Sequence, residues 1–417
     1  MDSFSLCLIL AILFCFLMTW GVGANDLANV MSTTMGSKAI TVKQAMFIAI
    51  FFEFAGAFLG GTDVTETMRD GIINTTQLAS TPLVLIEGML GVLLACTVWM
   101  NLASFIGVPV SITNALVGSM VGFGWLVLGK DAVQWNQVSH IAIGWVTSPL
   151  ISGITAYALF ISIQQAIFAK NDPLEKAKLY VPIYLFLVGS VLSFITVFKG
   201  LTHFNIHLNL QQNIIVTLTT SISMTVVGML VIKRIPERQN MRRRERFIQV
   251  EKYFAVLMAM TACAMVFAHG SNDVALAVAP LTMVHSLIMH ADQPLRATGY
   301  PAWIVLLGCV GVVSGFLMYG RRVIETVGSS ITALTPSRAF AATLAAATTV
   351  VVATSAGIPV SATQTLVGAV LGVGLARGIG ALNLIVIRNI FTSWILTLPA
   401  ASLLTILSYT LLHALLG

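Results

Sequence analysis

Gly23-Ala24-Asn25-Asp26-Leu27-Ala28-Asn29 interrupts an apolar run that extends from Leu6 to about Met35. A carboxylate and two carboxamides inside such a run need an explanation. A charge at bilayer depth costs about 2.5 kcal/mol or more unless it is paired or hydrated. The stretch has an echo in Gly270-Ser271-Asn272-Asp273-Val274-Ala275-Leu276, again within an apolar run. Two copies of one costly motif, far apart in sequence, point to two halves of a single ion site.

The surrounding composition sets the solvent. Of 417 residues, 57% are hydrophobic and only 9% charged, against about 25% charged in soluble domains. The chain therefore reads as an all-α polytopic membrane protein, with lipid against most of its surface. Apolar segments fall near 4–35, 41–61, 81–105, 109–128, 137–168, 179–199, 211–232, 251–280, 301–320, 338–356, 359–377 and 381–416. That predicts about 12 transmembrane segments, with 109–128 and 359–377 either crossing or re-entrant. Asp2 stands where a signal peptide would carry positive charge, so the first segment is expected to be a retained helix. The five cysteines lie in apolar runs without paired spacing and read as packing thiols, not as a disulfide framework or a metal site.

Orientation follows from basic loops. Lys233-Arg234-Ile235-Pro236-Glu237-Arg238 and Arg242-Arg243-Arg244-Glu245-Arg246 mark a cytoplasmic linker. Counting crossings from it places both termini outside, Lys38, Lys170, Arg321 and Arg322 inside, and Asp63, Glu66 and Asp70 outside. The net charge of +6 thus reports topology; no nucleic-acid partner is expected.

Gly107-Val108-Pro109-Val110-Ser111-Ile112-Thr113 recurs as Gly357-Ile358-Pro359-Val360-Ser361-Ala362-Thr363. Trp145-Val146-Thr147-Ser148-Pro149 recurs as Trp394-Ile395-Leu396-Thr397-Leu398-Pro399. Three features repeat in the same order, across an odd number of crossings. The expected organisation is a first inverted repeat at 1–168, two intervening helices at 169–232, a basic linker at 233–250 and a second inverted repeat at 251–417. Inverted repeats with broken helices place substrate near the midplane in many secondary transporters.

The motifs divide the chemistry. Gly23 and Gly270 would let a helix unwind and free carbonyls, which with Asn25, Asp26, Asn272 and Asp273 make a site for a hard cation: sodium, or a proton on an aspartate. Pro109 and Pro359 suit a first helical turn. Ser111, Thr113, Ser361 and Thr363, with the backbone amides at Val110 and Val360, would then bind an anion at two helix N-termini. Facing each other, these ends would enclose a tetrahedral oxyanion. Glu53 sits inside Phe51-Phe52-Glu53-Phe54 as a buried cation or proton partner. Glu87 also lies within an apolar run but nearer a helix end, and is either a buried partner or solvated. His269 either donates to substrate or packs. Arg388 pairs with a carboxylate or snorkels, and His203, His207, His285 and His290 fall in outer loops.

On these motifs, together with Gly320-Arg321-Arg322-Val323-Ile324-Glu325-Thr326-Val327-Gly328 and Thr335-Pro336-Ser337, the chain resembles the inorganic phosphate transporter (PiT) family. The resemblance covers essentially the full chain outside 179–232 and the linker. It implies twelve crossings, outside termini, a homodimer, no cofactor, and symport of phosphate with sodium or protons in the plasma (inner) membrane of a microbe. The family's carboxylate after the first Asn-Asp motif maps onto Glu53. A second glutamate of animal members maps onto Thr343, so one carboxylate of the sodium-coupled animal pattern is missing. Two rivals stand beside this reading: a sulfate permease of the same fold, and an anion channel, which buried carboxylates disfavour. No nucleotide loop or nucleophile–base pair suggests an enzyme.

Overall fold

The computed structural model describes residues 3–60, 71–73, 81–195, 209–237, 241–289 and 301–416. Asp63, Glu66, Asp70, His203, His207 and His290 lie outside these residues. Secondary structure among the described residues is helical apart from one isolated bridge, Ile73 to Val133. Lipid dictates this, because a spanning segment must satisfy its backbone groups internally.

The helices are α1 (Ser3–Val22), α2 (Ala28–Gly36), α3 (Val42–Gly60), α4 (Pro82–Ile106), α5 (Ile112–Leu128), α6 (Trp135–Ile163), α7 (Pro173–Ile195) and α8 (Leu210–Lys233). They continue as α9 (Arg243–His269), α10 (Ala275–Met289), α11 (Ala302–Tyr319), α12 (Arg321–Glu325), α13 (Pro336–Ser355), α14 (Ala362–Ala376) and α15 (Leu384–Leu416). Ten stretches among the described residues are long and apolar enough to cross a membrane. The chain is a polytopic helical membrane protein. The remaining two expected segments are α5 and α14, of 17 and 15 residues. At 1.5 Å per residue they reach about 26 and 23 Å, short of the ~30 Å hydrocarbon core.

Helix α1 shows how one apolar sequence serves two environments. Cys7, Ala11, Cys15 and Met18 are fully buried on one side, while Phe4, Ile9, Leu13 and Leu17 are exposed on the other. Small residues face the protein because association within lipid depends on close approach. Gly23 and Gly270 take this furthest. A Cβ on Gly23 would lie 1.7 Å from the Val312 carbonyl oxygen, and one on Gly270 would lie 2.4 Å from that of Glu53. The first Asn-Asp motif therefore rests on α11, and the second on α3.

The Pro-Val-Ser segments form the turns of two helical hairpins, α4–α5 and α13–α14. Gly107 and Gly357 end the incoming helices at φ of 82° and 69°, a region that favours glycine. The outer ends of each hairpin are tied: Gln134 N donates to Ile72 O at 2.9 Å, and Asn383 N to Ile331 O at 3.0 Å.

Three expectations change. The Asn-Asp motifs are not unwound. Gly23–Leu27 and Gly270–Val274 are single π-helical turns within continuous helices, so the backbone widens locally without freeing a run of carbonyls. His285 lies on α10 with its ring 5.5 Å from Trp303, not in a loop. The basic linker is already helical from Arg243. It is stapled to α7 and the turn before it by Lys178–Glu237 and Arg246–Asp172, each at 2.7 Å. The Lys178 amine, followed by the Tyr253 hydroxyl, holds the Glu237 carboxyl below its ordinary range.

Candidate functional site

The π turns and the hairpin turns meet. Asn25, Asp26, Asn272, Asp273, Ser111, Thr113, Ser361 and Thr363 are all buried, with at most 1% exposure. A π turn adds one residue to a helical turn and is frequent at functional sites. Here it sets the Asn-Asp side chains against hairpin backbone.

Asn25 grips the first hairpin through both ends of its carboxamide. Its Oδ1 accepts from Val110 N at 2.9 Å, and its Nδ2 donates to Val108 O at 3.0 Å. Asp26 joins the two hairpins. Its Oδ2 accepts from Ile112 N at 3.3 Å, in the first turn of α5, and its Oδ1 accepts from the Thr363 hydroxyl in the first turn of α14. Thr113 reaches the other way, donating to Val360 O at 3.3 Å. Asn272 donates to the same Val360 O at 2.9 Å and to Asp273 Oδ1 at 2.5 Å.

Ser111 and Ser361 act as N-caps. Each Oγ accepts from the amide three residues on, Asn114 N at 3.3 Å and Gln364 N at 3.1 Å. An N-cap hydroxyl accepts through oxygen, so its own proton remains available to an anion. The amide of Val110, expected to face an anion, is instead taken by Asn25, and that of Ile112 by Asp26. The protein's own carboxylate thus sits at the α5 N-terminus, where the helix dipole favours negative charge.

Behind Asp273 runs a chain that reading the sequence did not assemble. His269 Nδ1 donates to Glu53 Oε1 at 2.7 Å, and its Nε2 lies 3.2 Å from Asp273 Oδ2, off hydrogen-bond alignment. Glu53 and His269 are fully buried. The first motif has no such chain: Val22 precedes Gly23 where His269 precedes Gly270, and Val312 faces Gly23 where Glu53 faces Gly270. Polar atoms left without partners here include Asn29 Oδ1, Asn272 Oδ1, Glu53 Oε2 and His269 Nε2. Carboxylate and carboxamide oxygens such as those of Asp26, Asp273 and Asn272 are the ligand type that suits a hard cation.

The other flagged residues lie apart. Glu87 is buried, not solvated; its Oε2 accepts from His413 Nδ1 at 2.8 Å. Thr343 is buried and shares a 2.8 Å hydrogen bond with Thr33. Arg388 is exposed on α15. Cys7, Cys15, Cys96 and Cys309 are buried and Cys263 is partly so, all as free thiols.

Comparison with known proteins agrees over the whole chain. A model of the phosphate transporter family matches residues 22–405. A Haemophilus influenzae protein described as a phosphate permease is 43% identical, covering 96% of this chain and 95% of its own. The Arabidopsis thaliana chloroplastic inorganic phosphate transporter 2-1 is 35% identical, covering 95% of this chain and 70% of its own. A solved structure described as the sodium-dependent phosphate transporter superposes with a TM-score of 0.88 at 34% identity, over 98% of this chain and 99% of that one. The chain belongs to the phosphate transporter family.

Proposed function

We propose that the protein carries inorganic phosphate across the membrane by secondary-active symport with sodium. The observation that carries this is Asp26: one buried carboxylate bonded to both Ser-capped helices, from Ile112 N and from Thr363 Oγ1. In this reading the oxyanion enters between the two helix N-termini. It takes the Ser111 and Ser361 hydroxyl protons and displaces the Asp26 carboxylate from the Ile112 amide. The carboxylate, with Asn25, Asn272 and Asp273, then holds the cation beside the anion. Each ion offsets the other's desolvation, and that mutual preference couples their binding.

Three further elements belong to the proposal. The basic linker puts both termini outside. The two halves are inverted repeats; matching contacts of Gly23 and Gly270, and of Gly118 with Leu398 O and Gly368 with Pro149 O, support this. One bundle rocks against the other to alternate access. Sodium is favoured by the carboxylate and carboxamide oxygens around Asp26 and by the solved relative described as sodium-dependent. The Glu53–His269–Asp273 chain favours a second reading, proton coupling, because an imidazole between carboxylates can pass a proton.

Phosphate uptake into proteoliposomes, with sodium and proton gradients imposed separately, tests the assignment. Accumulation under an inward sodium gradient is expected. Accumulation under a proton gradient alone would establish the second reading. Excess sulfate that blocks uptake as well as unlabelled phosphate would replace phosphate specificity with general oxyanion transport.

A further inference from the structure

The approaches to the two Pro-Val-Ser turns should match if the halves match, and they do not. Between α6 and α13 lies a cavity of about 1020 Å³. Its lining runs along α6 from Gln137, in the first turn, to Thr155, and along α13 and the turn after it from Thr348 to Pro359 and Val360. Val360 belongs to the site, since its carbonyl accepts from Asn272 and Thr113. The walls carry Thr147, Ser148 and Thr349, and no carboxylate lines the cavity among the described residues. The hydroxyls of Thr147 and Thr349 turn back to carbonyls of their own helices. Ser148 is different: it is 4% exposed, and its Oγ has no partner. A buried polar atom left unpaired costs roughly 1–3 kcal/mol, which a hydrogen-bonding visitor would relieve.

The equivalent approach lies between α4 and α15, and it is shut. Trp99 stands as far ahead of Ser111 as Thr349 stands ahead of Ser361. Its Nε1 donates to Thr397 Oγ1 at 3.0 Å, and Thr397 corresponds to Ser148. Ser393, which corresponds to Gly144, donates to Pro109 O at 3.4 Å. Hydroxyls therefore close the α4–α15 approach, with an indole filling the space, where Ser148, Gly144 and Thr349 leave room.

We propose that the α6–α13 cavity is an entry subsite for the oxyanion from the outer face, centred on Ser148, and that Trp99–Thr397 with Ser393–Pro109 is the closed inner gate. The inference rests on the transport reading and on the orientation given above. An uncharged, hydroxyl-bearing vestibule without carboxylates admits an anion without trapping it.

The test is cysteine labelling of the full-length protein in oriented proteoliposomes with a membrane-impermeant, sulfonate-bearing thiol reagent. Ser148→Cys should be modified from the outer face only, with the rate slowed about tenfold by inorganic phosphate at ~10 times its Kd. Thr397→Cys should resist the reagent from the outer face. Should Ser148→Cys fail to insert, Thr155→Cys on the same wall takes its place. No modification, modification from both faces, or a rate indifferent to phosphate would overturn the subsite. Wild-type uptake is run alongside. No accumulation under any gradient defeats the transport reading, whereas accumulation with unprotected Ser148→Cys defeats the subsite alone.

Discussion

The two Asn-Asp motifs are close copies in sequence and differ in what they touch. Asp26 is held by the hairpins, through Ile112 N and the Thr363 hydroxyl. Asp273 is held by its neighbour Asn272 and lies beside His269, which bonds Glu53. One carboxylate therefore bonds the hairpin turns directly, and the other lies against an imidazole–carboxylate chain. The difference traces to two positions: Val22 against His269, and Val312 against Glu53. In the proposed reading, the repeated motif supplies the scaffold of an ion site, and the residues packed behind it divide the labour between its halves.

The strongest way to break this comparison is to remove the chain. His269→Ala leaves Glu53 buried and unpaired, which should cost about 3–5 kcal/mol of stability, read as a large fall in thermal unfolding temperature in detergent. Val22→Ala, at the matching place in the first half, removes only apolar contacts and should cost roughly 1–3 kcal/mol. Equal losses would mean that the chain carries no special weight. Adding Glu53→Gln to His269→Ala should recover part of the loss, because the two residues share one interaction.

Gly23→Ala and Gly270→Ala probe the scaffold that both halves share. Each new methyl group meets a backbone carbonyl, at 1.7 and 2.4 Å. Each should destabilise by about 1–3 kcal/mol through overpacking, Gly23→Ala more than Gly270→Ala. The reverse order would contradict the packing described.

Ser111→Ala and Ser361→Ala should each cost about 1 kcal/mol as lost N-caps. Both should also raise the KM for phosphate while leaving sodium affinity in the absence of phosphate unchanged. A fall in stability without a change in KM would assign the serines to capping alone. The smallest effect is expected far from both motifs. Glu237→Gln removes a partly exposed pair worth at most about 1 kcal/mol. The Glu237 carboxyl titrates low, so its contribution is present at neutral pH and lost as pH falls through its depressed pKa. Wild type and variant should therefore converge in stability at acid pH.

Much of this architecture is legible in the sequence because lipid makes polar residues conspicuous. Asn25-Asp26, Asn272-Asp273 and both Pro-Val-Ser segments stand out against apolar runs, and their repetition marks them as one constellation. What composition does not encode is the hydrogen-bond register of the backbone. Gly23 and Gly270 suit an unwound helix and a π turn equally, and only packing against Val312 and Glu53 selects the turn. Long-range pairing is hidden for a similar reason. Glu53 and His269 are each visible as buried and polar, but nothing local brings them together across 216 residues. Glu87 looks solvated near its helix end until His413, from the far end of the chain, closes over it.

The central claim is that cation and oxyanion bind side by side at Asp26, and reciprocal binding tests it most directly. Phosphate affinity, measured calorimetrically on the purified protein with and without sodium, should tighten by a factor of roughly 5–150 when sodium is added. Sodium affinity should tighten by the same factor when phosphate is present, and Asp26→Asn should abolish both effects. Phosphate affinity that is the same with and without sodium in the wild type, or coupling that survives in Asp26→Asn, would contradict the account.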